Sequence, residues 1–140
     1  MKPRVTVVTL GVRDLERSLR FYRDGLGLAT EGVVGTEFEG GSVAFFPLGH
    51  GQLLALFPLD QLAKDAHVPP SDGGPPRFSL GHNVAARHEV DAVMEQARAA
   101  GATITDEARD RAWGGYSGYF QDPDGHLWEV VWNPQIPIED

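Results

Sequence analysis

The sequence predicts an α+β fold of two tandem βαβββ modules, and three observations carry that expectation. The order strand, helix, strand, strand, strand is legible twice within the 140 residues. Gly27 and Gly101, which close the two helices, keep the same offset as Gly51 and Gly125, which precede the last strand of each half. Between the halves, residues 60–76 break the pattern with four prolines and two glycines, a composition that resists regular structure.

In the first half, "RVTVVTLGV" (4–12) is rich in β-branched residues and reads as a buried strand. Asp14 then caps a helix with Leu15, Leu19 and Tyr22 at helical spacing, ended by Gly25 or Gly27. Three strands follow, around 29–38, in "SVAFFPL" and in "QLLALFP", with glycines 40, 41, 49 and 51 at the turns. Phe38, Phe45 and Phe57 read as core. The first module is thus expected at about 4–59, and the linker at 60–76 opens with a short helix at 60–66.

The second module, about 77–134, repeats the order and leaves a tail at 135–140. "RFSLGHNV" reads as a strand, and Val90, Val93, Met94, Ala97 and Ala100 lie on one face of a helix. Strands are expected around 102–108, 117–122 and 126–132, the last two joined through Asp122-Pro123-Asp124-Gly125. In that turn Pro fixes φ and Gly accepts a positive φ.

Composition narrows the function classes. A formal charge of −8 argues against generic binding to nucleic acid or anionic membrane, which needs clustered Lys and Arg, and is compatible with a cationic small molecule. No apolar run approaches the roughly 20 residues of a membrane span, and the N-terminus lacks the apolar core of a signal peptide. With no cysteine there is neither a disulfide framework nor a thiolate site, which fits a cytoplasmic setting.

"VTLGVRDLERSLRFYRDGLGL", "EVDAVMEQARAAGA" and "YFQDPDGHLWEV" together resemble the vicinal oxygen chelate superfamily of glyoxalase, bleomycin-resistance and extradiol-dioxygenase proteins, over roughly residues 4–134. The stretch "WGGYSGYF…DPDGHLWEV…NP" is especially similar to a small glyoxalase-like subgroup. The resemblance implies modules curled into a half-open mixed β-barrel with the helices outside, a pocket within, and a homodimer. It also implies, for catalytic members, a divalent ion such as zinc, iron, manganese or nickel held by His and Glu from the first and last strands of the modules. By that likeness the ligand positions here are Val7, Ala55, Ser79 and Glu129. Only Glu129 offers a good ligand, because such cations want imidazole nitrogen or carboxylate oxygen.

Strand alternation puts Leu127, Glu129 and Val131 on one face, and Trp128, Val130 and Trp132 on the other. In a regular strand His82 faces opposite to Ser79 and Gly81 and reads as a partly buried histidine, with Asn83 pointing into the pocket instead; a bulge or shifted frame would turn His82 inward. Trp113 and Tyr116, among glycines 114, 115 and 118, are candidates to stack on a planar or cationic ligand above Glu129, with Tyr119 more a packing residue. Arg109 and Arg111 read as surface or rim arginines. His50, His67, His88 and His126 read as surface residues.

The leading expectation is a pocket protein that binds an organic small molecule without a catalytic metal, through Glu129, Trp113, Tyr116, Asn83 and His82. The alternative is a divalent-metal lyase, isomerase or dioxygenase with Glu129 and His82 as ligands, or a metal-free enzyme with Glu129 as general base. A third reading is a partner-binding scaffold.

Overall fold

The computed structural model describes residues 1–69 and 74–140. The chain divides into two compact units, Met1–Gly73 and Gly74–Asp140, and each is a βαβββ module around one open four-stranded mixed sheet. The proline- and glycine-rich centre of the expected linker, 70–73, lies outside the described residues.

In the first module β1 (Val7–Val12) leads into α1 (Leu15–Arg20), which continues as a π-type turn over Phe21–Gly25. The Asp14 side chain accepts from the Arg17 amide at 3.0 Å, satisfying one of the open N–H groups of the first turn. Strands β2 (Val33–Val34), β3 (Val43–Pro47) and β4 (Leu53–Pro58) complete the sheet in the order β1-β4-β3-β2, with β1 parallel to β4. One face packs on α1 through Leu10, Leu19, Tyr22, Phe46 and Leu56, all at most 3% exposed. The Tyr22 and Phe46 rings lie 5.9 Å apart. Aromatic packing of this kind supplies much of the apolar burial that holds a small module together.

Two expectations for this half are corrected. The strand read at 29–38 shrinks to Val33–Val34, because Gly32 and Gly35 sit at φ +86° and +76° and break the ladder on both sides. Phe38 and Phe45 are 68% and 37% exposed and so are not core: Phe38 sits in a turn, and Phe45 points to the sheet face opposite α1. The helix expected at 60–66 forms as α2 (Leu59–Ala66) and packs on β1 and β4, so it belongs to the first module. His67 closes it in the left-handed region, at φ 55°.

In the second module β5 (Leu80–Asn83) is followed by α3 (Arg87–Ala99), β6 (Thr103–Asp110), β7 (Tyr116–Gln121) and β8 (Leu127–Trp132). The sheet order is β5-β8-β7-β6, the same arrangement as in the first module. Val90, Met94 and Ala97 of α3 are buried, as their spacing requires, against Phe120 and Val130. Gly118 lets the helix close in: a Cβ there would lie 2.7 Å from Met94 Cε. Asp122 makes the "DPDG" turn, its Oδ1 accepting from the Asp124 and His126 amides at 2.9 Å each, and Gly125 turns at φ +86°. Among the described residues no helix is long and apolar enough to cross a membrane.

Candidate functional site

The register of the second sheet sorts its side chains. Gly118 pairs with Val130, and Phe120 with Trp128, on the face that meets α3. Ser117 pairs with Val131, and Tyr119 with Glu129, on the opposite face. In the parallel pair, Gly81 stands beside Glu129 and Asn83 beside Val131, so Asn83 shares the Glu129 face.

On that face Glu129 has a partner. Tyr119 stands directly opposite Glu129, and burial first, then the nearby Glu129 charge, push the phenol above its ordinary value. The Arg111 guanidinium lies over the Tyr119 ring, 5.4 Å from its centroid. Arg111 is itself fixed: Nε donates to Ser117 Oγ and Nη2 to the Ser117 carbonyl, both at 2.8 Å, and Nη1 reaches Asp106 Oδ2 at 3.0 Å. Asp106 also accepts from Arg109 Nε at 3.2 Å. The hydrogen bond from Arg111 above all holds the Asp106 carboxyl below the usual carboxylate range. The result is a connected polar row, Asp106, Arg111, Ser117, Tyr119 and Glu129, on one sheet face. It offers a carboxylate with an adjacent O–H, suited to a cationic or N–H-bearing group.

The other expected residues fall elsewhere. Tyr116 pairs with Trp132 on the α3 face, so it does not stand over Glu129. Its hydroxyl donates to Asp91 Oδ1 at 2.6 Å, and that bond, with burial, raises its pKa. The Arg87 guanidinium sits 4.4 Å from the Tyr116 ring centroid and pairs with Asp110 at 2.6 Å. Trp113 is 50% exposed and lays its ring across Gly115, where a Cβ would collide with it. His82 pairs with Val130, away from the Glu129 face, and is exposed rather than part-buried. His126 is half-buried in the hairpin turn rather than on the surface.

Tyr119 and Arg111 thus join the row in addition to the residues expected from the sequence. Counting outward from the "DPDG" turn pairs Gln121 with Leu127, and therefore Tyr119 with Glu129. That signal was present. The fold of Arg111 back onto Ser117 had no sequence mark.

The donor set fits a catalytic divalent ion poorly. Val7, Ala55 and Ser79 stand where the likeness calls for imidazole or carboxylate, and none can supply it. Among the described residues no group of three or more His, Asp or Glu side chains gathers.

The first module presents a different surface at the matching register. Phe45 pairs with Ala55 where Tyr119 pairs with Glu129. Beside Phe45 lies a cavity of about 330 Å³ lined by Ala29, Thr30, Glu31, Gly32, Val34, Phe45 and Pro47.

Repeated βαβββ modules, each built on one four-stranded mixed sheet, define the glyoxalase-like class of proteins. The Glyoxalase/Bleomycin resistance protein/Dioxygenase superfamily profile matches residues 4–130, and the chain belongs to that superfamily. Among solved structures, a glyoxalase-related enzyme from Fulvimarina pelagi is 38% identical, with 98% of this chain and 93% of that one covered and a TM-score of 0.84. A lactoylglutathione lyase from Agrobacterium tumefaciens is 26% identical, covering 99% and 100%, with a TM-score of 0.70. A genomically encoded fosfomycin resistance protein from Listeria monocytogenes, 23% identical over 95% of each chain with a TM-score of 0.69, shares the fold. No curated protein gives a significant match.

Proposed function

We propose that the protein binds an organic small molecule without a catalytic metal of its own, with Glu129 and Tyr119 taking a cationic or N–H-bearing group. The observation that carries this reading is Glu129 set directly opposite Tyr119, whose ring lies against Arg111, at the one family ligand position that holds a carboxylate. Val7, Ala55 and Ser79 support it from the other three positions. A homodimer is part of the proposal, on the family likeness.

Elemental analysis of the purified protein, followed by divalent-ion titration, tests it. The expected result is substoichiometric metal and no stabilisation by added zinc, iron, manganese or nickel ions. Stoichiometric metal that disappears in Glu129→Ala would overturn it.

A second reading, catalysis, is favoured by the likeness to the Fulvimarina pelagi glyoxalase-related enzyme. In that case Glu129 acts as general base on a proton next to a carbonyl, with the Tyr119 O–H beside it.

A further inference from the structure

We infer a second small-molecule site at the C-terminal end of β8, for an uncharged aromatic ring that carries a hydrogen-bond acceptor. It is built around Trp132, which pairs with Tyr116 on the α3 face, opposite to Glu129, and so goes beyond the reading above.

The site follows from how the chain leaves the sheet. After β8 it reverses through Asn133-Pro134-Gln135-Ile136: the Asn133 carbonyl accepts from the Ile136 amide, and its side-chain Oδ1 from the Gln135 amide, both at 3.0 Å. Pro134 stands at the second turn position, where its fixed φ is already the one required. The tail beyond the turn comes to lie near Trp132 and Ala85, and a cavity of about 300 Å³ remains between them. Both older walls are tied down. The Val84 amide donates to the Val131 carbonyl at 2.9 Å, which fixes the connection from β5 to α3 against β8. The Arg87 guanidinium lies 5.8 Å from the Trp132 ring centroid and is itself paired with Asp110 at 2.6 Å. Walls fixed in this way spare a ligand the cost of ordering them.

The lining decides the ligand class. Trp132, Pro134, Ile136 and Ile138 present ring and aliphatic surface, and Ile136 is 51% exposed, so apolar area is left to cover. A volume of about 300 Å³ is at the lower end of the range for ligand pockets, which suits a single ring. No lining residue is charged, and the nearby Arg87 is spent on Asp110. An anion would give up its hydration there without gaining a partner. Glu139 and Asp140, next in the tail, oppose it further. Asn133 adds direction: its Oδ1 is taken by the Gln135 amide, which leaves the side-chain N–H groups for an oxygen on the ligand.

Acetophenone, ethylbenzene and benzoate test the site, with binding to the full chain followed by NMR shift perturbation. Acetophenone is expected to shift signals of Ala85 and of residues 132–138, and to bind several-fold tighter than benzoate. Trp132→Ala is expected to weaken acetophenone roughly tenfold. Ile136→Asp, at an exposed position, should do the same if Trp132→Ala fails to fold. Asn133→Asp keeps the acceptor that holds the turn and removes the donor, so it should weaken acetophenone more than ethylbenzene. Shifts mapping to Tyr119 and Glu129 instead, or benzoate bound as tightly as acetophenone, would overturn the inference. So would equal losses of acetophenone and ethylbenzene in Asn133→Asp, or no binding by any of the three probes.

Discussion

Tyr119 and Glu129 stand directly opposite each other across β7 and β8, on the sheet face away from α3. The acid that looks isolated in its strand is therefore answered by a phenol from its neighbour. Burial first, then Glu129, raises the Tyr119 pKa. A phenol that keeps its proton longer in the folded state stabilises that state fully below the unfolded value of about 10. Stability is then lost as pH rises from there through the folded value. Urea unfolding of wild type and Tyr119→Phe between pH 9 and 12 (an order-of-magnitude window around the ordinary phenol, about 10) should show a smaller alkaline loss in the variant. Equal slopes would show that Tyr119 is not held by this pair.

Replacing Glu129 by Gln removes the charge and leaves the burial. Spectrophotometric titration should find the Tyr119 phenol lowered in Glu129→Gln, yet still above that of an exposed tyrosine, because burial is the larger cause. An unchanged titration would detach the charge from the shift.

Arg111 anchors the row. Its side chain is 11% exposed and spends three nitrogens on Ser117 and Asp106. Arg111→Met should destabilise the protein by about 2 kcal/mol in chemical denaturation, since hydrogen bonds of a charged group are lost and buried Ser117 loses two of them. Arg111→Lys should recover little, because an ammonium cannot reproduce the planar fork. Full recovery by lysine would reduce the role to charge.

Asp122 is 4% exposed and accepts two turn amides. Asp122→Ala should cost about 1–3 kcal/mol by stranding those donors, whereas Asp122→Asn keeps an acceptor and should cost less. Thermal unfolding of the two variants checks the order.

Gly118→Ala places a Cβ 2.7 Å from Met94 Cε and 3.0 Å from the Ala108 amide nitrogen. Overpacking of this kind should cost about 1–3 kcal/mol. Met94→Ala in the same chain should recover part of it, since one of the two clashes is with a flexible side chain.

The sequence by itself determined the module order, the helix cap at Asp14, the buried stripe of α3 and the "DPDG" turn. All of these follow from local spacing: helical periodicity, one capping oxygen, one glycine at positive φ. It also determined the face on which Glu129 and Asn83 lie, since alternation along a strand needs no tertiary information. Alternation equally places Tyr116 opposite to Tyr119, and nearness in sequence masked that consequence. Only the tertiary structure decided that Arg111 turns back onto Ser117, because a long side chain chooses its partner after the sheet has formed. It alone decided, too, that Phe45 lines a cavity: where a strand like β2 stops pairing depends on two glycines acting against a neighbouring strand, a competition that no single segment contains.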